Sequence, residues 1–97
     1  MLTKEQKKYL KSLSNNLTAN VIIGKNGLNQ NIIESLDECL YANELVKISL
    51  LKSCDLSIDE VTIELAAQTN SEIIQKIGRK VTLYRYSKEN HKINLPR

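Results

Sequence analysis

The sequence predicts an α/β fold of two layers, with three helices and four strands in the order α-β-α-β-α-β-β. Apolar residues recur at helical spacing in three stretches, and short apolar or alternating runs occupy four others. A serine, threonine or asparagine stands at the start of each helical stretch, where its side chain can cap the first turn. With 97 residues, 41% of them hydrophobic, the chain can build one core, so we expect a single domain over residues 1–97.

The first helix is predicted from Lys4 to about Ser14. Thr3 and Gln6 match a capping box, in which each side chain bonds the backbone of the other residue. At about 100° per residue, lysines gather on one side of this helix and apolar residues almost opposite. The lysines are Lys4, Lys7, Lys8 and Lys11, and the apolar residues are Tyr9, Leu10 and Leu13. We therefore expect a lysine face exposed to water.

A strand, a helix and a second strand are predicted over residues 21–52. Val21-Ile22-Ile23 is a short apolar run, and residues 28–43 have helical spacing with Asn29 as N-cap. Residues 44–52 alternate between apolar and polar, which is typical of a strand with one wet face. Because a strand-helix-strand succession of this length forms a right-handed parallel crossover, we expect both strands in one sheet.

The third helix is predicted to begin after Ser57 and to run to about Gln68. Ser57 and Glu60 match a second capping box. Ile63 falls outside the inward arc of this helix, and we expect it to be partly buried against a neighbour. The side chains on the inward arc are Ile58, Val61 and Leu65.

The last two strands are predicted at residues 71–77 and 81–86, joined by the basic turn Gly78-Arg79-Lys80. Two β-rich runs separated by a short glycine-containing turn indicate a hairpin. Adding this antiparallel pair to the parallel pair predicts a mixed four-stranded sheet, with the helices mainly on one face. Residues 87–97 are polar and basic, and their sequence leaves their conformation open.

Charge is distributed unevenly, although the net charge of the chain is only +3. Residues 1–33 carry five lysines against one glutamate, for +4, and residues 34–75 carry nine acids against two lysines, for −7. Residues 76–97 return to +6, with seven basic residues against Glu89. If the fold brings the chain ends together, the protein has a positive face that attracts a polyanion.

The stretch Gly24-Lys25-Asn26-Gly27 lies between the first strand and the second helix. Glycine at both ends permits positive φ and lets the backbone approach a ligand without interference from Cβ. The following helix offers unpaired N–H groups and a positive dipole end, and Lys25 adds a mobile ammonium. This arrangement suits a phosphate, although a G-x-x-G pattern by itself is also compatible with an ordinary tight turn.

Five motifs occur in order along the chain: Gly24-Lys25-Asn26-Gly27-Leu28, Glu44-Leu45-Val46-Lys47-Ile48, Ile77-Gly78, Leu83-Tyr84-Arg85 and Ile93-Asn94-Leu95-Pro96-Arg97. Together they resemble the CRM domain of the YhbY family, and the resemblance spans essentially the whole chain. One departure is Asn29, where we expect threonine in the family, and asparagine keeps the N-cap role. The length suits a stand-alone bacterial member.

The resemblance implies a fold related to the C-terminal domain of bacterial translation initiation factor three and a GxxG loop akin to that of KH domains. It also implies RNA binding and association with precursors of the large ribosomal subunit, hence a part in ribosome assembly.

We expect a cytoplasmic monomer that does not contact membranes. No apolar run approaches the roughly 20 residues of a membrane span, and the first residues lack the apolar core of a secretory signal.

Two other function classes remain beside RNA binding. Catalysis would need convergent acid, base or nucleophile groups, yet His91 is the single histidine and neither Cys39 nor Cys54 has a histidine near it in sequence. We therefore predict a protein that is not an enzyme and needs no cofactor, metal or small-molecule substrate. A small protein-interaction adaptor that uses the acidic helical face is the alternative, and a titration that found no salt-sensitive RNA binding would favour it.

The predicted RNA-binding residues comprise the loop and two flanking groups. The loop residues are Gly24, Lys25, Asn26 and Gly27, one flank is Lys4, Lys7, Lys8 and Lys11, and the other is Arg79, Lys80 and Arg85. We expect these to form one positive surface that follows a backbone and reads few bases. Tyr84 or Tyr86 could stack on a base, with core packing as the alternative for at least one of them.

Overall fold

The computed structural model describes residues 2–96. Met1 and Arg97, the latter counted in the predicted basic tail, lie outside the described residues. The predicted order of elements, α-β-α-β-α-β-β, is confirmed. The elements are α1 (Lys4–Ser14), β1 (Val21–Ile23), α2 (Gln30–Asn43), β2 (Leu45–Leu50), α3 (Ile58–Thr69), β3 (Glu72–Ile77) and β4 (Lys80–Tyr84).

Each helix begins at the N-cap that the sequence predicts. The Thr3 hydroxyl accepts the Gln6 backbone N–H at 3.1 Å, and the Gln6 side chain accepts the Thr3 N–H at 3.0 Å, which completes the capping box. Asn29 caps α2 and Ser57 caps α3 through equivalent bonds of 3.0 and 3.1 Å. Because each bond satisfies an orphan N–H of the first turn, a cap of this kind stabilises the fold by about 1 kcal/mol.

The four strands form one mixed sheet in the order β1-β2-β4-β3. β1 pairs with β2 in parallel, as the crossover argument predicts, and the other two pairs are antiparallel. The hairpin turn is one residue shorter than predicted, since Lys80 already pairs with Ile77 on β3 and Ser49 on β2. Gly78, with φ of +59°, opens this two-residue turn, a conformation that favours glycine.

Two apolar clusters cover the two faces of the sheet. On one face, α2 and α3 pack on alternate strand residues that include Val46, Ile48 and Leu83, so the expectation that helices lie mainly on one face is confirmed for these two. α1 covers part of the opposite face, where its Leu10 packs against Tyr84. This second cluster also contains Leu45 and Ile74.

Tyr9 and Ile63 are among the exposed apolar side chains that lie outside both clusters, and for Ile63 this is contrary to expectation. Tyr9 is 39% exposed because α1 turns only a narrow stripe around Leu10 toward the sheet. Ile63, which we expected to be partly buried, is 66% exposed on the outer side of α3. No described element packs over that side of α3, which explains its exposure.

The tail from Ser87 onward is anchored by the buried carboxylate of Glu44. One carboxylate oxygen accepts the N–H groups of Lys92 and Ile93 at 2.7 and 2.9 Å, and the other accepts the N–H of Ser87 at 2.9 Å. Nδ1 of His91 lies 3.1 Å from the second oxygen. Glu44 is fully buried and has a φ of +67° at the end of α2. A residue in a strained backbone conformation therefore anchors the tail.

Burial alone would raise the pKa of the Glu44 carboxyl, but its hydrogen bonds outweigh that cost. The N–H groups of Ser87 and Lys92, the His91 ring and the Ile93 N–H all favour the ionised form, and the pKa of Glu44 is lowered from its ordinary value. The tail then continues along α1, where the Pro96 carbonyl accepts the Gln6 amide at 3.0 Å. Helix α1 and the last described residues of the tail therefore lie side by side.

Candidate nucleic-acid interface

The GxxG loop is a four-residue turn that presents Lys25 and Asn26 to solvent. The Gly27 N–H donates to the Gly24 carbonyl at 2.9 Å and closes the turn. Gly27 has a φ of +63°, as predicted for a glycine that serves the turn. Gly24 does not adopt a positive φ, so only Gly27 uses the conformational freedom that glycine permits in this loop. A Cβ at Gly24 would lie 3.3 Å from the Leu51 side chain, and this close approach explains why a glycine occupies the position.

Helix α2 follows the loop after two residues and begins with its positive dipole end on that side. Its first turn contains no acidic residue, whereas the first turn of α3 contains Asp59 and Glu60. An acid in the first turn would neutralise the helix dipole and repel an anion. The start of α2 is thus left electrostatically open to an anion beside Lys25, which is exposed.

Arg79, at the tip of the hairpin, is tied to the same end of the sheet as the loop. Its guanidinium donates to the carbonyls of Leu50 and Leu51 at 3.0 and 2.6 Å, and its own carbonyl accepts the Leu50 N–H at 2.7 Å. Leu51 is the residue that lies against Gly24. The structure therefore brings three of the predicted cations, Lys25, Arg79 and Lys80, to one end of the sheet.

Lys52 also lies at this end, and the sequence analysis did not include it. It is exposed in the turn that Leu51 and Cys54 close with a 3.1 Å backbone bond, and Ser53 in the same turn lies close to Gly24. The parallel pairing of β1 and β2 contained the signal. The carboxyl ends of parallel strands share one edge of a sheet, so the residues after β2 must lie beside the GxxG loop.

The lysines of α1 are spread between the two ends of the sheet. The last residue of the helix, Ser14, shares a 2.6 Å hydroxyl bond with Thr82 of β4, which places Lys11 nearest the loop end. Lys4 lies at the other end, close to the tail, because Gln6 bonds the Pro96 carbonyl. Lys4 and Lys11 are seven positions apart on the helix, about 10 Å along its axis. All four lysines, Lys4, Lys7, Lys8 and Lys11, are exposed.

Arg85 does not join the cations at the loop. Its guanidinium donates to the Asp37 carboxylate at 2.6 Å, to the Asp37 carbonyl at 3.0 Å and to the Thr69 carbonyl at 3.0 Å, which links α2 to the end of α3. The backbone N–H of Arg85 donates to the Glu44 carbonyl. Glu44 immediately precedes β2, so Arg85 lies at the opposite end of this strand from Leu50. That is roughly 20 Å from the loop end at the rise of a strand. Arg85 thus lies apart from the cations at the loop, and its part in one RNA-binding surface stays a prediction.

The two tyrosines near the end of β4 differ in environment. Tyr84 is buried against Leu10, which corresponds to the core-packing alternative, and this burial raises the pKa of its hydroxyl, with smaller contributions from neighbouring negative charges that include Glu44. Tyr86 is 59% exposed, and its ring centroid lies 5.1 Å from that of His91. A base could reach Tyr86 but not the face of Tyr84.

The acidic side chains predicted on α2 are exposed and line a cleft toward α3. This cleft is bounded by Gln30, Ile33, Glu34, Asp37, Glu38 and Gln68.

Across residues 2–96, no cluster of three or more histidine, cysteine or carboxylate side chains has the arrangement of a metal site. Cys54 is buried and Cys39 half-buried, both as free thiols. Within the same residues, every helix is too short or too polar to span a bilayer.

The comparison that decides the family is a match of residues 2–85 to the model of the CRS1 / YhbY (CRM) domain. The chain belongs to this family. Relatives extend the similarity over almost the whole chain. A "Probable RNA-binding protein YqeI" of Bacillus subtilis (strain 168) is 41% identical over 96 residues, which cover 99% of this chain and 100% of the relative.

Two further matches are consistent with the assignment. An "RNA-binding protein" of Haemophilus influenzae is 33% identical over 97 residues, covering 99% of this chain and 96% of the relative. The solution structure of the hypothetical protein SAV1595 from Staphylococcus aureus matches with a TM-score of 0.81 and 42% identity. That match covers 99% of this chain and 100% of the other, so the predicted CRM fold is confirmed.

Proposed function

We propose that this CRM protein binds structured RNA, and that the GxxG loop holds the RNA backbone. The observation that carries the proposal is the convergence of cations on the turn at one end of the sheet. Lys25 lies within the turn, Arg79 is bonded to the strand end beside it, and Lys52 follows Leu51. Relatives that share nearly the full length of the chain are named as RNA-binding proteins and not as enzymes.

The loop suits a phosphate because it combines a pre-formed turn with a mobile positive charge. The Gly24–Gly27 hydrogen bond fixes the backbone before any ligand arrives, so little entropy is lost on binding. The open start of α2 contributes a positive dipole end, and Lys25 can pair with the phosphate as a point charge. Contacts of this kind give affinity without reading sequence, so we expect modest sequence preference.

Replacing Lys25 by Ala should weaken RNA binding similarly across sequences. The variant releases one fewer counterion, so the slope of log affinity against log salt should become shallower by ~0.7 to 0.9. Fluorescence anisotropy with a folded ribosomal RNA fragment at several salt concentrations measures both quantities. The matched control is Lys88→Ala, which removes one exposed lysine beside Ser87, at the other end of the sheet. An equal slope change in both variants would show that position does not matter and would remove the loop from the site.

We further propose that the RNA is a precursor of the large ribosomal subunit, and that the protein acts in ribosome assembly as a monomer. Folded RNA offers closely spaced phosphates that can contact the loop, Arg79 and the near end of α1 at the same time. A domain of this size has too little surface to read a long single-stranded sequence without help. Shape then supplies the selectivity that base contacts do not.

Sedimentation of a cell extract at low and high salt tests this assignment. At low salt the protein should migrate with large-subunit precursors, and it should move to the light fractions as salt rises because phosphate contacts are screened. A protein found in the light fractions at every salt concentration would contradict the assignment. If purified protein also showed no salt-sensitive binding to any folded RNA, an adaptor function through the acidic side of α2 would be favoured instead.

A further inference from the structure

One face of the sheet is left open at the loop end. α1 covers this face only as far as Ser14, which bonds Thr82. Two residues closer to the loop along β4, cross-strand pairing places four residues side by side on this face, one from each strand. In spatial order they are Ile22, Ser49, Lys80 and Ile77, and we call them the open row.

The open row is apolar at both ends and basic between them. Ile22 is 56% exposed and Ile77 is 63% exposed, although β-branched side chains of this size are usually buried. Lys80 lies between them and is exposed. The next row inward consists of Lys47, Thr82 and Gln75, so neither row contains a carboxylate. Apolar surface interleaved with cations fits a ligand that has both flat apolar groups and negative charge.

The row is continuous with the proposed phosphate site. Ile22 lies in β1, two residues before Gly24, and Lys80 follows Arg79, which bonds the strand end beside Gly24. An RNA strand whose phosphate lies at the loop can therefore pass directly onto this face. Ile22 and Ile77 lie on the two edge strands of the sheet, β1 and β3, and their side chains project from this face.

We propose that the open row is a platform for bases of an unpaired RNA segment next to the phosphate held by the GxxG loop. This inference rests on the proposed function and extends it from backbone contact to base contact. Ile22 and Ile77 would each lie against the flat face of a base, and Lys80 would pair with a phosphate between them. The row spans three strand spacings, about 14 Å. Four-stranded sheets that bind RNA on one face hold about two or three bases.

Threonine substitutions test the platform because threonine keeps the branched shape and strand preference of isoleucine but removes apolar surface. Ile77→Thr should weaken binding to an unpaired RNA oligonucleotide about threefold, and Ile22→Thr with Ile77→Thr about tenfold. The salt slope should not change, since these contacts release no counterions. Ile63→Thr is the matched control, because Ile63 is equally exposed, at 66%, on the outer side of α3.

The same oligonucleotide with abasic residues separates base contact from backbone contact. The wild-type protein should bind the abasic RNA about tenfold more weakly, whereas the double variant should bind both RNAs equally. Circular dichroism confirms folding of each variant, and Ile22→Thr alone serves if Ile77→Thr does not fold. Ile63→Thr should match the wild-type protein on both RNAs.

Each other outcome identifies which idea fails. If Lys25→Ala weakens binding and the threonine variants do not, the loop binds RNA and the platform is wrong. If neither class of variant changes affinity, the proposed function fails together with the platform. If the threonine variants instead shift the protein from dimer to monomer in sedimentation equilibrium, the open row is an interface between copies of this chain, and the platform is overturned.

Discussion

Replacing Gly27 by Asp should reduce RNA affinity about 30-fold while leaving the protein folded. The substitution puts a carboxylate beside the phosphate, and repulsion of roughly 2 kcal/mol is expected for two such charges near a protein surface. The fold should tolerate it, because a Cβ at Gly27 would lie at ordinary contact distance, 3.7 Å, from Leu56. Anisotropy titrations with a folded RNA measure the loss.

Gly27→Asn is the control that separates charge from backbone strain. Any residue other than glycine at this position must adopt the φ of +63°, and this backbone conformation costs about 1 kcal/mol of stability. Asparagine has the same cost as aspartate but carries no charge. The asparagine variant should therefore bind within about threefold of the wild-type protein. If Asp and Asn weakened binding equally, the loss would arise from the backbone, and no phosphate would need to lie beside Gly27.

Replacing Glu44 by Gln should destabilise the fold by about 3 kcal/mol and release the tail. The carboxylate accepts three backbone N–H groups, and hydrogen bonds to a charged acceptor are among the stronger ones in proteins. Glutamine carries no charge, and its NH₂ group would face backbone N–H groups, which are themselves donors and cannot accept a hydrogen bond. Urea unfolding measures the free energy, and amide exchange at Lys92 and Ile93 reports the tail. Glu89→Gln, at an exposed tail position, should change stability by less than about 0.5 kcal/mol.

The stabilisation from Glu44 should depend on pH in a defined direction. Its pKa in the folded protein lies below the ordinary value of 4.5, so the folded state favours the ionised form. The contribution is fully present above about pH 4.5 and is lost as the pH falls through the lowered pKa. The difference in unfolding free energy between the wild-type protein and Glu44→Gln should therefore shrink below pH 4.5. A difference that stayed constant down to pH 2 would show that the carboxylate is not the anchor.

Local signals in the sequence determined the elements and their order. The caps at Thr3, Asn29 and Ser57 set where helices begin, because a side chain three residues from an orphan N–H can satisfy it without help from the rest of the fold. Alternation along β2 and the crossover rule determined the parallel pairing with β1. The GxxG turn was also visible, since its closing bond links residues three apart.

Tertiary structure decided which of the predicted cations lie together at the loop. Lys25 and Arg79 are 54 positions apart in sequence and lie at the same end of the sheet because strand ends share an edge. Arg85 is only six residues from Arg79 but lies at the other end, because β4 separates the two. The role of Glu44 depends on donors more than 40 residues away. The open row exists because α1 ends before it. These features depend on which distant residues come into contact, and the periodicity of a single stretch contains no information about that.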